Sequence, residues 1–423
     1  MSQATDYVLS NQSGASFRAE LNTMLAAIVS ANSGATEPTT TYAYMLWADS
    51  SSGILKLRNA ANNAWISLLT LSTGAVIAIP DDIVTTAKIL DDAVTTAKLA
   101  FDTGALGYRN VLINGGMQVD QRNAGVAQTI TAAAALAYTV DRWYAYCTGA
   151  NVTGQQVAGA AQAKNRYRFT GAASVTKIGF AQRIEAANSY HLNNGTATLS
   201  VDLANSLLTT VTWTAWYANS ADTFGTLGSP TRTQIATGTF TVNSTVTNYS
   251  TNITIPSAAT TGIEIELSVA AQTSGTWTIG NIQLEAGSVA TPFENMSYGT
   301  ELALCQRYYY RIFPAAVSKS MSAIGWASST SATSLQIQFP VTMRIAPTAL
   351  ETSGTASQYT IQYTAGGTTA CDVVPTYSPA STQFEAVILA TVVGTPLAAN
   401  GTVRLRTDGT TGASAYLGWS AEL

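Results

Sequence analysis

The sequence predicts a mainly β protein built from several bodies, with one amphipathic helix near its start. Three observations carry that prediction. Only 10% of the 423 residues are charged, against roughly 25% in ordinary domains. Thr, Ser, Asn, Ala and Gly fill the gap, and Thr and Ser suit strands and turns. Alternating apolar and polar runs separated by turn residues recur through most of the chain, while a single window carries helical spacing. A chain of this length exceeds one ordinary core, so about two to four domains are expected.

Residues 1–70 read as a small α+β module. Phe17, Leu21, Met24, Leu25 and Ile28 recur at the spacing of one helix face, predicting a helix over 14–31. Ser13 or Ser16 caps its start; Asn32-Ser33-Gly34 ends it and Pro38 prevents continuation. The stripe must bury against a meander, another subunit or a docking protein. Three strands follow: Tyr42, Tyr44 and Leu46 alternate up to Asp49, Ile54 to Arg58 returns, and Ala64 to Leu69 closes.

Residues 71–109 contain two imperfect copies of a decapeptide, DDIVTTAKIL and DDAVTTAKLA. Val84 and Val94, Ala87 and Ala97, and Lys88 and Lys98 fall in step. Such repeats become stable when copies from several chains wind together; a linear linker with a chance duplication is the other reading.

Residues 110–293 show a rhythm of strands and turns that fits a sandwich of about eight to ten strands. Ile263, Ile265 and Leu267 alternate with Glu264 and Glu266, which predicts a half-buried strand with both carboxylates outward. Residues 294–423 form a further β body, with strands marked by Gln336 to Phe339 and by Val403 to Arg406. The stretch Asn281 to Arg311 links the two bodies and reads as a hinge.

Composition excludes several classes. No run of Lys or Arg provides a nucleic-acid footprint, and no apolar run reaches the ~18 residues of a membrane span. The opening MSQATDYVLSNQ lacks a secretory pattern, which points to manufacture in a cytoplasm. Cys147, Cys305 and Cys371 are odd in number and far apart, so neither a disulfide framework nor a zinc site is expected, only small buried residues. A surface poor in Lys and Glu loses part of the repulsion that blunts sheet edges, which favours an oligomer over a weakly charged monomer.

Catalytic signals are mostly absent. The single histidine, His191, has no Gly-x-Ser-x-Gly elbow to serve, and no phosphate-binding or EF-hand loop occurs. A spatial carboxylate pair among Asp120, Asp141, Glu185, Glu264, Glu266 and Glu285 would suit glycoside hydrolysis; solvated or structural acids are the plainer reading. Aromatics offer more. In Val211 to Tyr217, Trp216 shares one strand face with Thr212 and Thr214. An indole beside hydroxyls can stack on a sugar ring, or it can pack under a loop or a neighbouring subunit. Tyr308-Tyr309-Tyr310 and Trp326 are similar candidates in the last body.

Asn110 to Gln121 (NVLINGGMQVDQ), Val140 to Trp143 (VDRW), Gln283 to Gly287 and Thr291 to Glu294 resemble the jelly-roll domain of tail fibres of tailed bacteriophages. Gly299 to Tyr309 looks like the segment that follows it there, and Asp6 to Leu69 is similar to the modules that open many phage fibres. The resemblance runs to about residue 311. It implies an elongated homotrimer: a tail-anchoring module at 1–70 using Phe17, Leu21, Met24, Leu25 and Ile28, a stalk at 71–109 wound through Val84, Ala87, Val94 and Ala97, a jelly-roll similar to carbohydrate-binding modules at 110–293, and a β-sandwich tip at 294–423. The implied function is a receptor-binding protein on the virion's tail fibre, without enzymatic activity. Its partners would be itself, a tail or baseplate protein, and bacterial surface polysaccharide or lipopolysaccharide, with no nucleic acid and no membrane insertion. Trp216, Thr212, Thr214, Tyr309 and Trp326 are its candidate ligand-binding residues. A capsule depolymerase and a purely structural spacer are the alternatives. Related modules hold a structural calcium ion; here Met117 stands where an acid is wanted and Glu285 is the remaining ligand candidate, so no cofactor is the primary expectation.

Overall fold

The computed structural model describes residues 3–77, 108–133, 135–160, 163–364 and 366–423. The decapeptide repeats, with Val84, Ala87, Val94 and Ala97, lie outside the described residues. The chain divides into two compact units, Met1–Lys98 and Leu99–Leu423.

The first unit opens with α1 (Gly14–Val29). The Ser13 hydroxyl accepts the Ser16 N–H at 3.4 Å, capping one of the free donors at the helix start. Ala31 and Asn32, both with φ 51°, turn the chain out of the helix. Three antiparallel strands follow, β1 (Leu46–Asp49), β2 (Ile54–Arg58) and β3 (Trp65–Thr70). The first strand starts later than its alternation predicts because Tyr44 adopts a left-handed φ of 66°. Trp47 donates its indole N–H to the Gly34 carbonyl at 3.1 Å, and Asp49 pairs with Lys56 at 2.7 Å. The expected helix stripe is only partly covered. Met24 is buried and Leu21 half-buried, while Phe17, Leu25 and Ile28 are exposed.

In the second unit twelve strands form a sandwich: β4 (Gln128–Ile130), β5 (Ala137–Tyr138), β6 (Tyr144–Thr148), β7 (Val152–Ala158), β8 (Asn165–Thr170), β9 (Lys177–Ile184), β10 (Gly195–Asn205), β11 (Thr210–Ala218), β12 (Arg232–Thr241), β13 (Thr247–Ile255), β14 (Ile263–Val269) and β15 (Thr276–Ala286), with a single-turn helix α2 (Ala186–Ser189) after β9. One six-stranded sheet has the order β13-β10-β15-β8-β7-β4, the other β12-β11-β14-β9-β6-β5. The strand number exceeds expectation because edge strands as short as β4 and β5 carry no readable alternation. Between the sheets lies one core, in which Trp143 stacks on Phe180 with centroids 4.9 Å apart and Phe169 on Trp277 at 5.3 Å.

The residues of the resembling motifs knit the first segment of the sandwich to its last strand. The Asn110 side chain donates to the Ile282 carbonyl at 2.9 Å and accepts the N–H groups of Leu112 and Leu284. The Asn110 N–H donates to Glu294 at 2.8 Å. A Cβ on Gly115 would sit 2.0 Å from the Ile282 oxygen, so only glycine permits this approach. Glu285 accepts the Thr291 N–H at 2.8 Å and its hydroxyl at 2.6 Å. Both carboxylate oxygens of the calcium candidate therefore pin the exit turn.

The C-terminal body begins with a helix that the all-β expectation missed, α3 (Tyr298–Gln306), capped by Ser297. Its Glu301 is buried and accepts the N–H of Asn114. Then come β16 (Tyr309–Ile312), β17 (Ser320–Ala327), β18 (Ala332–Gln338), β19 (Glu351–Thr352), β20 (Tyr359–Tyr363), β21 (Thr368–Ala370), β22 (Thr376–Tyr377), β23 (Glu385–Thr391), β24 (Thr402–Thr407) and β25 (Leu417–Ser420). They make a seven-stranded sheet, β21-β20-β24-β17-β18-β23-β22, and a three-stranded one, β16-β25-β19. Leu335, Ile337, Val403 and Leu405 face the core with Trp419.

The expected hinge is a lock. Glu422 pairs with Arg142 and, at 3.5 Å, with Arg122. Arg183 donates to the Leu423 carbonyl at 2.9 Å, and Tyr138 to the same oxygen at 3.1 Å. Gln121 donates to the Tyr309 carbonyl at 2.8 Å. Tethers this dense and buried hold the sandwich and the C-terminal body together.

Candidate functional site

Two sheet faces turn away from their cores and carry aromatic side chains. The first is the outer face of the β12-β11-β14-β9-β6-β5 sheet. Period two puts Val211, Trp213 and Ala215 in the core and Thr212, Thr214 and Trp216 on this outer face, as the sequence predicts. The structure adds Tyr144 and Tyr146 from β6, Lys177 and Arg183 from β9, and Glu264 and Glu266 from β14.

Glu264 and Glu266 point outward from the sandwich, yet they are buried, contrary to expectation. The Tyr144 hydroxyl donates to Glu264 at 2.7 Å, and Arg183 donates to its other oxygen at 3.0 Å. Arg232 pairs with Glu264 and, at 3.3 Å, with Glu266. Lys177 reaches Glu266 at 3.0 Å, and Tyr146 donates to the same oxygen. Burial alone would raise the Glu266 carboxyl; the Lys177 ammonium, the Tyr146 hydroxyl and Arg232 outweigh it and hold that group below its ordinary range. Burial and the Glu266 charge push the Tyr146 hydroxyl up, so it stays a donor. The sequence hid this network because two acids alternating with Ile and Leu look solvated until cations from neighbouring strands are placed over them.

Trp216 is half-buried, with the Arg232 guanidinium 4.4 Å from its ring centroid and its indole N–H buried without a partner. Thr214 is buried and shares a 3.1 Å hydroxyl contact with Thr237; Thr212 is half-buried. Tyr146, itself buried, lines a pocket on this face. That pocket, of about 390 Å3, is also lined by Arg232, Leu227, Thr148 and Ala132. The alternation Tyr144-Ala145-Tyr146, out of phase with core residues Trp143, Ala145 and Cys147, is the sequence signal that locates it.

The second face belongs to the seven-stranded sheet. Trp326 on β17 is 45% exposed. Its register partners are Ser334 on β18 and Thr402 on β24, so an open indole lies between two hydroxyl-bearing residues. Two residues earlier on the same face, Ile324 is exposed between Gln336 and Arg404. A cavity of about 330 Å3 adjoins it, lined by Ile324, Gln362, Tyr363 and Arg404. Arg404 is oriented by the Gln362 side chain at 2.6 Å.

Tyr309 is not a surface residue. It is 1% exposed, its hydroxyl donates to Glu351 at 2.9 Å, and the Arg122 guanidinium lies 3.5 Å from its ring centroid. Tyr308 is buried beneath Arg142 in the same way. The tyrosine run fastens the two bodies because a ring against a guanidinium satisfies both groups where water is excluded. His191 is exposed in a short 3-10 turn. Among the described residues no group of three or more His, Cys, Asp or Glu could hold a metal ion, and no helix is long and apolar enough to cross a membrane.

No protein-family model matches this sequence, and no curated protein does. Among solved structures, TmCBM61 in complex with beta-1,4-galactotriose is 14% identical over 42% of this chain and 99% of its own, with a TM-score of 0.27. The enzymatically active domain of tailspike protein 4 of bacteriophage CBA120 is 16% identical over 43% of this chain and 22% of its own, TM-score 0.27. A family 11 carbohydrate-binding module from Clostridium thermocellum, in complex with a β-1,3-1,4-mixed-linked tetrasaccharide, is 14% identical over 39% of this chain and 98% of its own, TM-score 0.25. These are likenesses over less than half of the chain, and no ligand of this protein follows from them.

Proposed function

We propose that this chain is a receptor-binding tail-fibre protein of a tailed bacteriophage, which attaches the virion to host surface polysaccharide or lipopolysaccharide without cleaving it. The observation that carries the reading is the Trp326 platform: an exposed indole between Ser334 and Thr402, with Arg404 and Gln336 within two residues along the same face. An aromatic plane offers the C–H face of a sugar a dry surface, and flanking hydroxyl, amide and guanidinium groups bond its hydroxyls. One such contact is weak. A homotrimer carrying three copies, several times over per virion, gains roughly 10²–10⁴ in avidity when geometry permits.

The N-terminal module joins the tail. Its support is α1, which presents Phe17, Leu25 and Ile28 uncovered on a chain otherwise short of charge. A hydrolytic role has less support. Glu264 is 0% exposed and Glu266 nearly so, and both are paired with cations, which speaks against these two as the free acid and base that hydrolysis uses.

The test is competition. Purified protein added to host cells is expected to block phage adsorption, and Trp326→Ala to raise the concentration needed about tenfold with no change in melting temperature. Undiminished adsorption in the presence of wild-type protein would sink the proposal. Release of reducing ends from host polysaccharide would move it to the hydrolytic reading.

A further inference from the structure

The other sheet of the sandwich also has an outward pocket, of about 350 Å3, where four polar side chains converge. Asp202 lies on β10, and Asn248 faces it directly on the edge strand β13. Asn281 comes from β15, at a bulge where the register with β10 shifts and φ is 45°. The bulge places an amide that a regular strand would send to the opposite face. Arg166 reaches in from β8, its stem passing over Gly280, where a Cβ would lie 2.8 Å from the Arg166 Cγ.

The hydrogen bonding leaves defined capacity. Asn248 Nδ2 donates to Asp202 Oδ1 and Asn281 Nδ2 to Asp202 Oδ2, each at 3.0 Å. Each Asp202 oxygen keeps a lone pair, and each amide keeps its second N–H. The Arg166 Nη2 stands 4.0 Å from Asp202, and its Nε is buried without a partner. Phe293 and Pro292 form the apolar wall. The charges decide what fits. A bound anion would meet Asp202, and a bound cation would meet Arg166. A neutral molecule bearing adjacent hydroxyls meets neither penalty, and it donates to the carboxylate while accepting from the amides and the guanidinium.

We propose that Asp202, Asn248, Asn281 and Arg166, walled by Phe293, form a binding site for a neutral sugar residue presenting a vicinal diol. The site is on the sheet opposite the Tyr146 pocket and on a different body from Trp326. It stands or falls independently of the proposed function.

The experiment titrates methyl α-D-mannoside, methyl β-D-galactoside and methyl β-D-glucoside, each up to its solubility, into the full chain, followed by saturation-transfer NMR. At least one is expected to bind saturably. Asn248→Ala and Asp202→Asn are each expected to weaken it about tenfold, the cost of removing a hydrogen bond to the sugar and leaving its polar partners unpaired, and Trp326→Ala to leave it unchanged. Asn248 is exposed on an edge strand, so its variant keeps the fold if Asp202→Asn does not. No saturable binding of any of the three, or binding indifferent to Asn248→Ala, overturns the proposal. Binding lost in Trp326→Ala and kept in Asn248→Ala overturns it as well, and assigns the sugar to the tip.

Discussion

Arg232 holds the outer face of the sandwich shut: it covers the Trp216 ring and joins both buried carboxylates. Truncating Trp216 therefore removes the surface on which the guanidinium is ordered. Trp216→Ala is expected to lower stability by about 2 kcal/mol, from lost burial and the loosened ion pairs, read as a fall in melting temperature, whereas Trp326→Ala leaves stability unchanged. Asp141 behaves differently. Burial, against the pull of Arg122 and the Gln121 hydrogen bonds, raises its carboxyl to about 6. A carboxyl whose pKa is higher folded than unfolded binds its proton better in the folded chain. That stability is fully present below the unfolded value and is lost as pH rises through about 6. The melting temperature is thus expected to rise on going from about pH 7 to about pH 5. Asp141→Asn should remove most of that rise. Asp120 and Glu301, also raised by burial, leave a residual slope of the same sign.

At the scale of elements, α1 differs from every strand of the sandwich. A sheet strand is completed by its neighbours, but this helix has only Met24 and Ala27 buried, against Ala4 and Tyr7. Leu25 and Ile28 contribute little to the module's own fold because they are already in water. The double change Leu25→Ser and Ile28→Ser is expected to leave the folding stability within about 0.5 kcal/mol of wild type and the light-scattering mass unchanged, yet to abolish the proposed incorporation into phage tails. Particles carrying the variant at wild-type level would refute the docking role. The helix was legible from its five spaced apolar residues, but which of them are covered was not, because spacing defines a stripe and not what lies on it. α3 was illegible for a related reason. Its nine residues carry only a weak stripe, and what fixes it is Glu301 accepting the N–H of Asn114, far away in sequence.

At the scale of the second unit, the sandwich and the C-terminal body share a buried cluster in which Glu422 meets Arg142 and Arg122. Removing one partner of a buried pair leaves uncompensated charge, costing about 3 kcal/mol. Glu422→Gln is expected to lower the melting of both bodies together in calorimetry. A fall confined to the C-terminal body would mean that the two bodies unfold separately.

The sequence by itself determined the β character, the single early helix, and the strand faces of Val211 to Tyr217 and of Val403 to Arg406. These follow from local periodicity, which fixes the direction of a side chain relative to its own strand. Tertiary structure alone decided that Glu264 and Glu266 are covered, that Tyr309 is a fastening rather than a platform, and that Asp202 meets Asn248, Asn281 and Arg166. Those outcomes depend on which strands become neighbours, and residues from four separate strands reach one pocket only after the sheet has formed.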